Sequence, residues 1–134
     1  VRLKRISKKL NMGVCVCSGA KVKCSMGQNE VDLVALPVPI KIDGNPLMSV
    51  LNFIPYLNIP SFGQCKSPAN PMVIAAYGAP QTCIPVVLTP WSPGATKLKV
   101  LGGTAALLED DKNMCMWAGQ IEITDPGQKE FKAV

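Results

Sequence analysis

The sequence contains no histidine at all. That removes the commonest general base and the commonest metal-ligating side chain together. A Cys-His nucleophile, a Ser-His-Asp triad and every His-bearing zinc catalytic site are excluded with it. Aromatic residues make up only 5% of the chain and charged residues 17%. No Cys-x-x-Cys pair occurs, which argues against a thiol redox enzyme and leaves out the paired knuckles of zinc ribbons. No apolar run approaches the ~18–20 residues that span a bilayer; Met72–Ala76 is the nearest and is far too short.

The start of the chain imitates a secretion signal, but it reads as a poor one. Basic residues precede an apolar stretch, but Gly13, Ser18 and Gly19 break it and no leucine-rich centre follows. Val14 immediately before Cys15 argues against a lipoprotein cleavage site. The expectation is a protein made and assembled in the cytoplasm. Residues 1–11 read as a basic, solvated tail, with the domain running over 12–134 and its apolar pattern starting at Met12.

The net charge of +5 lies entirely on Arg2, Lys4, Arg5, Lys8 and Lys9. Beyond them nine lysines balance nine acidic residues. A body without net charge lacks the basic face that phosphate contacts require, so no nucleic-acid partner is expected. The carboxylates Asp32, Asp43, Asp110 and Asp111 fall at turns or in polar runs, where solubility explains them. The chain does not read as an enzyme.

What is abundant is proline, glycine and apolar side chain: 12 prolines, 11 glycines and 48% hydrophobic residues. Proline and glycine break long helices, while the apolar content excludes disorder. One small all-β domain of short strands and tight turns follows. The run Val14–Cys24 reads as a hairpin around Ser18-Gly19. Residues 51–72, with Pro55, Pro60, Pro68 and Pro71, read as an ordered irregular loop. Strands are expected over Thr82–Thr89, interrupted at Pro85, and over Met114–Ile123. A faint internal repeat aligns Ile40-Lys41-Ile42-Asp43-Gly44 with Leu98-Lys99-Val100-Leu101-Gly102.

The concentrated chemistry is six cysteines: Cys15, Cys17, Cys24, Cys65, Cys83 and Cys115. They suit disulfides of a secreted scaffold, buried thiols acting as small apolar residues, or thiolate ligands closing a tetrahedral zinc site. Cys24, Cys65, Cys83 and Cys115 each lie near a glycine or proline, residues that let separate loops approach one ion closely. Cys15 and Cys17 share one strand face and read as packing residues, although either can replace a ligand.

Val16-Cys17-Ser18-Gly19-Ala20 with Cys24-Ser25-Met26-Gly27, Phe62-Gly63-Gln64-Cys65, Asn70-Pro71, Cys83-Ile84-Pro85 with Trp91, and Gly119-Gln120-Ile121-Glu122-Ile123 together resemble the cysteine-rich PAAR-like proteins, from about Met12 to Gln128. The resemblance implies a pseudo-threefold β cone with irregular proline-rich loops, a non-enzymatic tip that caps and sharpens the trimeric spike of a bacterial contractile injection system. Such machines include type VI secretion systems, extracellular injection particles and phage-tail-like particles. It implies a metal near the apex. Better-known members use mostly histidines there, so here Cys24, Cys65, Cys83 and Cys115 stand in as zinc ligands. A monomer then sits on a three-fold spike through a broad apolar base, for which Leu47, Met48, Leu51, Phe53 and Ile54 are candidates, and touches the target-cell membrane transiently. The protein assembles in the cytoplasm and leaves as part of an injection particle. The competing reading is a disulfide-stabilised secreted binding module.

Overall fold

Proline and glycine cut this chain into very short extended pieces, and the structure shows how such pieces become stable. A computed structural model describes residues 13–35, 40–42, 44–100 and 103–133. The tail read at residues 1–11 lies outside them, as do Asp43 and the Leu101-Gly102 part of the repeat. The described residues form a small all-β fold with a single short helix, α1 (Pro71–Ala75). Asn70 caps α1 by accepting the Met72 N–H at 2.9 Å, and Pro71 needs no donor in the first turn. Among the described residues no helix is long and apolar enough to cross a membrane.

The largest sheet is antiparallel, in the order β10 (Lys112–Met114), β11 (Gln120–Asp125), β2 (Lys21–Cys24), β3 (Val31–Asp32). β6 (Gln64–Cys65) and β7 (Gln81–Thr82) make a small hairpin of their own. Three further pairs have only two residues per strand: β1 (Gly13–Val14) with β12 (Lys132–Ala133), β4 (Lys41–Ile42) with β5 (Asn45–Pro46), and β8 (Lys99–Val100) with β9 (Thr104–Ala105). An isolated two-stranded ribbon is marginal in water. Here the three ribbons feed one common ring.

Each inner strand continues into three buried or half-buried residues, namely 15–17, 47–49 and 106–108. Their backbones close a cycle: Val16 N–H donates to Leu107 C=O at 3.0 Å, Leu107 N–H to Met48 C=O at 3.0 Å, and Met48 N–H to Val16 C=O at 2.9 Å. A second cycle surrounds it, with Ser18 N–H on Pro46 C=O, Val50 N–H on Ala105 C=O and Glu109 N–H on Val14 C=O, at 2.8–3.0 Å. The outer strands join in the same order, since Cys15, Leu47 and Ala106 donate to the carbonyls of Phe131, Ile40 and Leu98. Bridges Cys17↔Leu47, Ser49↔Ala106 and Cys15↔Leu108 complete three equivalent sectors. The ring is pseudo-threefold, and one sector is built from the two distant strands β1 and β12.

Side chains alternate across the ring. Val16, Met48 and Leu107, all fully buried, enter the larger core with Val22, Leu33, Ile59, Phe62, Trp91 and Ile121. Cys15, Cys17, Leu47 and Ala106 enter a smaller core with Ala95, Val100 and Ala133. The fold thus has two apolar compartments, one on each side of the ring. Trp91 closes the larger one and donates its indole N–H to Asn52 C=O at 3.0 Å.

Three local expectations change. The Ser18-Gly19 turn exists, with Gly19 at φ 96, but Val14–Cys17 and Lys21–Cys24 do not form a hairpin. The first segment is drawn into the ring and the second into the four-stranded sheet. Thr82–Thr89 is a strand only at its start, in β7, and the proline-rich stretch contains both β6 and the start of α1. The repeat of residues 40–42 with 98–100 is real, and β5 and β9 follow it.

Asp111 is 1% exposed and ties two segments to the ring. One carboxylate oxygen accepts Gly94 N–H at 3.0 Å and the other accepts Leu108 N–H at 2.9 Å. Burial holds its carboxyl above the ordinary range, against the lowering effect of those two N–H groups. Asp111→Ala is expected to destabilise the protein by on the order of 3 kcal/mol in urea denaturation, because two buried donors lose their acceptor. The folded pKa lies above the unfolded value of about 3.9. The wild-type margin over Asp111→Ala should therefore be largest below about pH 4 and shrink as pH rises through the folded pKa.

A candidate four-thiol metal centre

The four cysteines singled out from their neighbours come from four separate segments of the chain, at or just past the ends of β2, β6, β7 and β10. Cys24 ends β2 and is paired with Ile121 of β11. The chain then turns at Ser25-Met26 into Gly27, which bridges Cys65. A Cβ on Gly27 would stand 2.5 Å from the Phe62 Cβ, so only glycine lets this turn lie so close. Lys66 N–H reaches Met26 C=O at 2.9 Å and fastens β6 beside the turn. Cys83 follows β7 directly, and its N–H donates to Gly63 C=O at 2.7 Å. Cys115 follows β10 and starts a tight turn closed by Cys115 N–H on Gly119 C=O at 2.8 Å. Ala118 in this turn has φ 69.

All four are at most 8% exposed and belong to the larger core. A Cβ built on Gly119 would collide with the Cys24 sulfur and lie 3.7 Å from the Cys115 Cβ, which places both cysteines close to one glycine. The thiols also sense one another electrically. Burial pushes the Cys24 thiol up, Met26 backbone hydrogen bonding opposes this, and Cys115, Cys83 and Cys65 raise it further. Burial likewise pushes the Cys83 thiol up, opposed by the Phe62 backbone and the Ser61 side chain, with Cys65 and Cys115 adding to the rise. Ser67 N–H lies 3.5 Å from the Cys65 sulfur. Backbone donors to sulfur favour a thiolate over a thiol.

No disulfide joins any of the six cysteines. Among the described residues no three Cys, Asp or Glu side chains already stand as a ligand cage. A cation would require thiols of this cluster to turn toward a common centre. The donor set itself suits a soft metal: four sulfurs, no imidazole and no carboxylate. Cys15 and Cys17 lie in the other compartment, with the Cys15 thiol raised to about 11 by burial and by Cys17. A cleft of about 330 Å³, lined by Met26, Gly27, Gln28, Gln64, Lys66 and Pro80, opens beside the Gly27–Cys65 bridge.

The residues next to the cysteines face the other way. Ile84, Met114 and Met116 are 43%, 55% and 60% exposed. Of the apolar residues expected to meet a partner, Leu47 and Met48 are buried in the two cores because the ring turns them inward. Leu51 and Ile54 are exposed and Phe53 is half-buried. Trp117 is half-buried against the larger core and donates to Ile84 C=O at 3.3 Å. Sequence reasoning overlooked Ser61 and Ser67, whose only signal is a serine two residues from a cysteine or glycine; the Ser61 hydroxyl donates to Cys83 C=O at 2.6 Å.

A family model described as a domain of unknown function (DUF4280) matches residues 16–128, and the chain belongs to that family. No curated protein and no solved structure matches it.

Two substitutions test the packing around the cluster. Gly119→Ala should cost about 1–3 kcal/mol in urea denaturation, because its methyl group meets the Cys24 sulfur. Ala118→Gly, one residue earlier, should be neutral or stabilise by up to about 1 kcal/mol, because it relieves a left-handed alanine. A Gly119→Ala protein as stable as the wild type would show that the two thiols are not held this closely.

Proposed function

We propose that this family member is a non-enzymatic structural tip of the PAAR-like kind, seated on the trimeric spike of a bacterial contractile injection system and stiffened by one zinc ion. The observation that carries the reading is the pseudo-threefold hydrogen-bonded ring made by a single chain. A monomer that repeats its own backbone three times about one axis can meet a three-fold partner with three equivalent contacts. An asymmetric monomer meets it with one. The likeness of the cysteine, proline and glycine pattern to PAAR-like proteins supports the same reading.

In this account the two compartments have different tasks. The three ribbons beside the smaller core form the broad base that meets the spike. The larger core carries Cys24, Cys65, Cys83 and Cys115 away from it, toward the end that leads through the target-cell membrane. These four thiols would hold the zinc, which when bound cross-links four loop segments and turns its binding free energy into folding free energy. Ser67 N–H and the backbones of Met26 and Phe62 would orient the sulfurs from outside. The tip assembles in the cytoplasm and leaves the cell with the injection particle. No nucleic acid takes part.

Elemental analysis of the purified protein should find one zinc per chain. Cys65→Ser or Cys115→Ser should lower that content sharply and lower the melting temperature by several degrees. A metal-free chain with unchanged stability overturns the zinc centre. Absence of titratable thiols under denaturing conditions favours the disulfide-stabilised binding module instead.

A further inference from the structure

The three ring sectors differ in sequence at most equivalent positions. Val14, Pro46 and Ala105 correspond, as do Ser18, Val50 and Glu109. One position is identical in all three: Lys132, Lys41 and Lys99 open β12, β4 and β8 and pair with Val14, Pro46 and Ala105. The residue before each is large and apolar, Phe131, Ile40 and Leu98. Phe131 and Ile40 are 41% and 38% exposed, and Leu98 is half-buried. Core packing explains the residues that follow, since Ala133 and Val100 are buried and Ile42 packs against the same cluster. It does not explain the lysines, which are exposed.

Nor do partners among the described residues explain them. Among the described residues the ion pairs are Lys21–Asp32 and Lys112–Glu122, and none of the three ring lysines takes part. A generally basic body is excluded too, because lysines and carboxylates balance beyond the tail. Three like charges at symmetry-equivalent, solvent-facing positions repel one another slightly and contribute little to folding. Their equivalence has a use only toward something that repeats three times.

We propose that Lys41, Lys99 and Lys132, each beside its apolar neighbour Ile40, Leu98 or Phe131, are the docking points for a homotrimeric protein that presents one carboxylate per subunit around its three-fold axis. This inference rests on the spike-tip reading and specifies the chemistry of the partner's face. A homotrimer necessarily offers the same residue three times. A single chain satisfies all three at once only where its own sectors carry the same complementary charge. The charge sets register and approach, while strand alternation turns the preceding apolar residues to the opposite face.

The test is binding of the full chain to the trimeric spike protein encoded in its own genome, by calorimetry or interferometry. Lys41→Glu, Lys99→Glu and Lys132→Glu should each weaken binding by a similar factor, roughly tenfold. The triple reversal should abolish it, and a spike whose facing carboxylate is changed to lysine should restore it. Wild-type affinity should fall as salt rises from about 0.1 M to about 1 M, where the screening length drops from roughly 10 Å to 3 Å. Melting temperatures should stay unchanged, separating docking from folding. If the wild type binds and the reversals bind equally well, or only one of the three matters, the lysine assignment is overturned alone. If the wild type binds no such trimer, the spike-tip reading falls and this inference with it.

Discussion

Everything in this fold depends on the cycle of backbone hydrogen bonds among Val16, Met48 and Leu107. Each of the two-residue ribbons is too short to persist alone. Closing three of them on one another removes their open edges and satisfies the inner N–H and C=O groups, as closure does in a barrel. The cycle also separates the apolar side chains into two compartments. Because the ring needs all three sectors, and one sector joins residues 13–17 to residues 131–133, local pieces have little reason to fold independently.

That partition has a chemical consequence. The cysteines on the ring itself, Cys15 and Cys17, pack as apolar residues of the smaller core. The four beyond the ring lie in the larger core on turns that only glycine geometry brings together, at Gly27 and Gly119. Burial and the neighbouring thiols oppose charging Cys24 and Cys83, while nearby backbone donors favour it. Four of the six thiols thus share the larger core, at or just past strand ends.

Much of this was readable in the residues. Short strands and, among the described residues, the absence of long helices followed from proline and glycine. The repeat of Ile40-Lys41-Ile42 in Leu98-Lys99-Val100 marked two sectors. The third, Phe131-Lys132-Ala133, was equally present but stayed hidden, because its inner strand is Gly13–Val14 at the other end of the chain. A repeat cut open and joined by folding leaves no continuous period to detect. The apparent hairpin at Ser18-Gly19 misled for a related reason: turn chemistry specifies the bend, whereas the partners of the flanking strands are chosen by distant segments.

The sequence by itself determined the fold class, the short extended elements, the turn positions and the chemical kind of the candidate centre. Those depend on backbone freedom and donor type, which are properties of single residues and their neighbours. Only the tertiary structure decided which strands pair, that Leu47 and Met48 point into cores, that four cysteines share one compartment while two occupy another, and that three lysines occupy equivalent places. Those facts depend on hydrogen bonds between residues far apart in the chain, and no local pattern encodes their choice of partner.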